Sequence, residues 1–237
     1  MNQFLEIVIY SLLAGLTIFL GGLLAYITEK HFKKNVESHI MHWSIAFGGG
    51  ILIAAVAFVL TPKGMELFSI EHLSVIFLAG AVTFFFFDKF IERKGGLFAQ
   101  SMAMLMDFIP EALALGAVFA QDHHMGILLA FFIGFQNFPE SFNAYFDLRK
   151  NNQLPKNILI AFFLLSFLGV LLSLAGNGFL IQLPRLTAGI MIFSAGGILY
   201  LIFQDIAPSS KMRNNWDPAL GANLGFLVGM IGAKIFV

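Results

Sequence analysis

Two tripeptides, Ile109-Pro110-Glu111 and Phe138-Pro139-Glu140, each set a proline and then a carboxylate inside stretches otherwise apolar enough to cross a membrane. A charged side chain near the bilayer centre costs about 3 kcal/mol or more, so such residues face a cavity and mark sites for ions or protons. Four positions before each glutamate stands another oxygen-bearing side chain, Asp107 in the first and Gln136 in the second. Residues four apart share a helical face, so Asp107 projects with Glu111, and Gln136 with Glu140. Each proline lacks an N–H and crowds the carbonyl four residues back. That loosens the carbonyls of Met106 and Phe135. Carboxylates, an amide and loosened carbonyls at one cavity are chemistry for binding a cation.

Three carboxylates gathered in apolar surroundings repel one another unless they are protonated or share a cation. Neither stretch contains a lysine or arginine before Arg149, so no ion pair within these helices neutralises them. A divalent metal ion is the economical solution. Protonated carboxylates hydrogen-bonded across helices, and a proton relay without metal, are the alternatives.

The elements that must position these residues follow from composition. Of 237 residues, 58% are hydrophobic and 12% charged, with mean hydropathy +0.83. A soluble domain carries about a quarter charged residues, so an all-α, polytopic membrane protein is expected, forming one transmembrane domain over residues 1–237. Net charge is zero, which gives no sign of a nucleic-acid partner. The absence of cysteine excludes disulfides, thiolate ligands and cysteine catalysis. Residues 1–6 carry no basic side chain and the apolar run beyond them reaches Thr28, too long for a cleaved signal sequence.

Apolar stretches of about 20 residues cross as helices, and eight are predicted: 5–28, 43–62, 73–92, 98–120, 125–147, 156–181, 186–206 and 217–237. The charges Asp88, Lys89, Glu92, Arg93 and Lys94 crowd the end of the third and are expected to snorkel to an interface. Numbering the loops alternately puts Lys30, Lys33, Lys34, Lys89, Arg93, Lys94, Arg149, Lys150, Lys156, Lys211 and Arg213 on one side. Only Lys63, Arg185 and Lys234 fall on the other. By the positive-inside rule both termini are outside.

An internal similarity links FGGGILIAAVAFVLTP (Phe47 to Pro62) with FSAGGILYLIFQDIAP (Phe193 to Pro208). In the alternating topology the two copies run in opposite directions, as in inverted-repeat transporters with a midplane site between halves. A 3+2+3 arrangement is expected, with the two Pro-Glu helices between the repeats. Gly48-Gly49-Gly50, Gly196-Gly197, and Gly225 with Gly229 are expected to bring helix backbones close.

These features resemble the ZIP (Zrt/Irt-like) family of divalent metal transporters, in a divergent bacterial-type form. The family's fourth span typically reads His-Asn-x-Pro-Glu-Gly and its fifth His/Gln-Glu/Asp-x-Pro-Glu-Gly. Here the same positions are Asp107-Phe108-Ile109-Pro110-Glu111-Ala112 and Gln136-Asn137-Phe138-Pro139-Glu140-Ser141. The resemblance implies movement of zinc, iron, manganese or a similar ion toward the cytoplasm, between spans two, four, five and seven. It further implies a homodimer in the cell membrane, with the metal as cargo and no cofactor. The metal ligands would be Asp107, Glu111, Gln136 and Glu140. Phe108 and Asn137 stand where the family has a liganding asparagine and acid, and no acidic residue lies between Ile158 and Leu180, where many members carry a glutamate. One metal per chain rather than two is therefore expected. With no imidazole or thiolate the set is all oxygen, which suits manganese, magnesium, calcium or ferrous iron, although zinc also accepts carboxylates. A relic that binds metal without transporting it is the alternative.

Other polar residues are weaker candidates. Asp122-His123-His124 and Glu6 are expected at the outer surface, and His31, His39 and His42 in or beside the first inner loop. Asp205 is placed where it could line an inner passage or pair at the interface. Enzymatic function is not expected: there is no His-Glu-x-x-His motif, and no histidine lies within a span to serve a serine nucleophile.

Overall fold

Helix is imposed wherever an apolar run must satisfy its own backbone in lipid, and helix dominates. The structure, a computed structural model, describes residues 2–94, 96–213 and 215–236, with the side chains of 35, 92, 94, 96–101 and 103 outside the description. Eight long helices follow in order: α1 (Gln3–His31), α2 (Lys34–Ala55), α3 (Ile70–Lys94), α4 (Gly96–Gln121), α5 (His123–Lys150), α6 (Pro155–Leu180), α7 (Pro184–Leu201) and α8 (Pro218–Phe236). Among the described residues there is no strand beyond a single bridge between Met212 and Asn215. Each helix coincides with one expected span. Asp122 caps α5 by accepting from the Met125 backbone N–H at 3.0 Å. Proline opens α6, α7 and α8, where its missing N–H costs nothing. Asn152, at φ 60°, turns the chain between α5 and α6.

Among the described residues, seven helical segments are long and apolar enough to cross a membrane. The exception is α5, which carries Gln136, Asn137, Glu140, Asn143 and Asp147. Its place in the bundle explains its polarity. It packs against α1, α2 and α4, and touches α6 and α8. Leu128, Phe132, Phe142, Tyr145 and Leu148 along it are at most 1% exposed. By contrast α3 turns Val75, Leu78 and Phe86 outward, each at least 60% exposed, as a lipid-facing helix does.

Two helices change their winding. α2 continues through a π turn, Val56–Leu60, into Pro62–Leu67, and α7 continues through a π turn, Ile202–Ile206, into Ala207–Ser210. The turns start 146 residues apart (202 − 56), matching the offset of the two similar sequence segments (193 − 47). A π turn inserts one extra residue, and such turns recur at functional sites.

The glycines explain how the helices approach. Successive helical residues point about 100° apart, so Gly48, Gly49 and Gly50 face three different neighbours. A methyl group on Gly48 would lie 3.0 Å from Pro139 of α5; on Gly49, 2.8 Å from Ile206 in the second π turn; on Gly50, 2.0 Å from the Ala222 carbonyl oxygen of α8. Gly225 meets the Phe47 carbonyl in return. The same pattern joins α3 and α7, where Gly196 faces the Phe77 carbonyl and Gly80 the Phe193 carbonyl.

The connection between α1 and α2 is shorter than expected, because α2 starts at Lys34. His39 and His42 therefore lie on α2, beside that connection. His42 Nδ1 sits 2.6 Å from the Ser38 carbonyl, and His39 Nε2 2.9 Å from Asp217. At the end of α3, Asp88 accepts from the Tyr200 hydroxyl at 2.9 Å and Lys89 lies over the Phe85 ring. Asp88 and Lys89 at that end therefore have partners within the bundle, while the side chains of Glu92 and Lys94 lie outside the described residues.

Candidate cation site

α4 and α5 stay helical through Pro110 and Pro139. They bring three of the four expected ligands, Asp107, Gln136 and Glu140, to one cavity of about 350 Å³. The cavity lies between α2, α4, α5 and the end of α7. Asp107 and Gln136 are 5% and 2% exposed, while Glu140 is half-buried. Gly48 and Gly49 form part of the opposite wall, where the lack of a side chain leaves room beside Pro139.

Glu111 lies behind this surface, 1% exposed. Its Oε2 accepts a hydrogen bond from the Gln136 side-chain amide. That bond fixes the amide with its nitrogen toward Glu111, leaving Gln136 Oε1 buried with no hydrogen-bond partner. A buried acceptor without a donor costs about 1–3 kcal/mol, and a cation or an ordered water would remove that cost. Asp107 Oδ1 accepts from the Phe108 backbone N–H at 2.9 Å. The three carboxylates are near enough to repel one another. Among the described residues, however, no three acidic or histidine side chains converge tightly enough to enclose a metal ion. The arrangement is an oxygen-lined cavity backed by a linked Glu111–Gln136 pair, not a closed cage.

Of the positions that depart from the pattern the sequence resembles, Asp107 lines the cavity, while Phe108 and Asn137 point elsewhere. Phe108 is 3% exposed, and its ring packs where Gly169 of α6 leaves space. Asn137 Nδ2 donates to the Ala14 carbonyl of α1 at 3.4 Å. Neither lines the cavity.

Sequence reasoning missed Asn143 and Asp147, which line the cavity toward the C-terminal end of α5. Gln136, Glu140, Asn143 and Asp147 fall at spacings of four, three and four, one continuous stripe of α5. The signal was therefore present. Asn143 Oδ1 is a second buried oxygen without a partner, whereas Asp147 pairs with Lys150 at 2.8 Å. Asp205 lines the same cavity, with Ser44 and Ser209.

The remaining candidates lie apart. His123 Nδ1 sits 3.0 Å from Glu6 at the other end of the bundle. Asp122 lines a separate cavity of about 250 Å³ with Lys63, Glu66 and Gln121. This second cavity uses the opposite ends of α2, α4, α5 and α7, and buried Val59 and Met191 lie in its wall. Arg149, the only cation on α5 apart from terminal Lys150, is held away from the site by Glu29 of α1 at 2.8 Å. Tyr145 donates to the same carboxylate at 2.5 Å.

No family model matches the chain, and no curated protein matches it.

Proposed function

We propose that this chain is a ZIP-like transporter that carries divalent metal cations, zinc, iron, manganese or a similar ion, across the cell membrane toward the cytoplasm. Asp107, Glu111, Gln136 and Glu140 bind the ion, the carboxylates supplying charge and Gln136 a neutral oxygen. The observation that carries the reading is the buried, partnerless Gln136 Oε1 in a cavity that Asp107 and Glu140 also line. The lining contains no lysine, arginine or histidine that could neutralise these acids. A cation does so directly.

Several further features support it. The looseness of the ligand set suits cargo, which must be released, and lets the ion keep part of its water shell. Two cavities at opposite ends of α2, α4, α5 and α7 suit a path through the bundle. The matched π turns and the reciprocal glycine contacts suit an inverted 3+2+3 repeat with both termini outside. A homodimer belongs to the same reading, as does one metal per chain, because Phe108 and Asn137 are spent on helix packing.

The test is uptake of zinc, manganese, iron, cobalt and cadmium into vesicles containing the purified protein. Uptake of at least one ion should exceed that of protein-free vesicles, and Glu111→Ala and Glu140→Ala should each abolish the excess. Unchanged uptake in both variants would sink the assignment.

A further inference from the structure

The inner end of α7 has two faces. Asp205, Ile206 and Ser209 line the cation cavity, while Ala207 and Ser210 from the same turns line another cavity of about 660 Å³. The rest of that wall comes mainly from the connection to α8, including Lys211, Arg213, Asn215 and Trp216. The connection is fastened down. Met212 and Asn215 form a bridge, and Asn215 Nδ2 lies 3.3 Å from His39 Nδ1 on α2.

Among the described residues its basic side chains have no acidic partner. No acidic side chain lines this cavity, and neither Lys211 nor Arg213 makes an ion pair among the described residues. Asp217, the nearest acid along the chain, is turned to His39 at 2.9 Å. Beside the two cations Trp216 is 90% exposed. An indole so placed sits at headgroup level in a bilayer. Beyond it Leu220, Leu224, Leu227 and Ile231 follow at spacings of four, three and four, all between 43% and 60% exposed. They form one apolar track along α8, leading from the basic pair into the membrane.

We propose that Lys211, Arg213 and Trp216 form a binding site for an anionic phospholipid, with the headgroup phosphate on the two basic side chains and an acyl chain along the α8 track. The guanidinium of Arg213 suits a phosphate because it can donate two parallel hydrogen bonds, and Lys211 adds a point charge. The site needs nothing from the metal-transport reading. It shares the Ala207–Ser210 turn with the cation cavity, so an occupied site would brace the wall of that cavity.

Trp216 supplies its own probe. The chain has two tryptophans, and Trp43→Phe leaves Trp216 as the only indole. Its fluorescence is measured in the full-length protein in bilayers of phosphatidylcholine with increasing brominated phosphatidylglycerol, and in the reverse mixture with brominated phosphatidylcholine. Each basic side chain near an anionic lipid is worth roughly five-fold. Brominated phosphatidylglycerol should therefore quench at a mole fraction on the order of ten-fold lower than brominated phosphatidylcholine. A Lys211→Gln, Arg213→Gln double variant should lose most of that preference. Equal quenching by the two lipids in the parent protein would overturn the proposal without recourse to any variant. So would loss of the preference in millimolar glycerol phosphate, which would mark a site for soluble phosphate instead. Metal uptake is not the readout, so the lipid site and the transport reading stand or fall separately.

Discussion

Replacing Gly50 with alanine should loosen the bundle where α2 meets α8. The added methyl would lie 2.0 Å from the Ala222 carbonyl oxygen and 2.8 Å from both the Ala222 carbonyl carbon and the Phe226 nitrogen. Ordinary contact begins near 3.4 Å, so the helices must separate by about 1 Å or more. A gap of that size forfeits roughly a quarter to a half of each dispersion contact across the interface. Inserting one methylene into a packed core costs about 1–3 kcal/mol. Alanine returns up to about 1 kcal/mol in helix propensity, so with the full return the net loss is up to about 2 kcal/mol. Gly196→Ala, facing the Phe77 carbonyl at 2.0 Å, should behave alike. Gly178→Ala is the control, because a methyl there meets nothing within 4 Å. Unfolding by denaturing detergent, followed by helical circular dichroism, gives the comparison. If Gly50→Ala unfolds no earlier than Gly178→Ala, which gains helix propensity without a clash, the close approach of α2 and α8 is wrong.

Two further outcomes are expected. Glu29→Gln leaves Arg149, about one-third exposed, without its carboxylate and Tyr145 without a charged acceptor, and should cost about 1–3 kcal/mol in the same assay; no change would show that the contact between α1 and α5 carries no stability. Protein loaded with metal and then desalted should retain one ion per chain by elemental analysis, and two per chain would refute the packing roles given to Phe108 and Asn137.

The sequence discloses this molecule unevenly, and the reasons are physical. Spans are legible because lipid demands about 20 apolar residues with every backbone group satisfied internally. The Pro-Glu pairs are legible because a carboxylate is conspicuous in such a run. Asn143 and Asp147 passed unnoticed because polar residues near the end of a span look like ordinary interface, although they continue the Gln136 and Glu140 stripe. The link from Glu111 to the Gln136 amide joins two helices, and nothing in either helix alone specifies it. Pairings such as Tyr145 with Glu29, 116 residues apart, depend on helix rotation, which periodicity does not fix. The glycine clusters predicted close approach but not direction. Three consecutive glycines proved to face three different helices.

The polarity of α5 bears on how the chain reaches its membrane. A helix with a central glutamate and neighbouring amides starts with a penalty of about 3 kcal/mol for the charge alone when offered singly to lipid during synthesis. Released by itself from the insertion machinery, it would be a poor guest. The flanking segments, residues 104–121 and 155–180, are apolar enough to stay. Together α1, α2 and α4 pack around α5. If α5 crosses the bilayer, as the eight-span reading proposes, its residence there is a collective property, acquired when its companions arrive and not written in its own hydropathy.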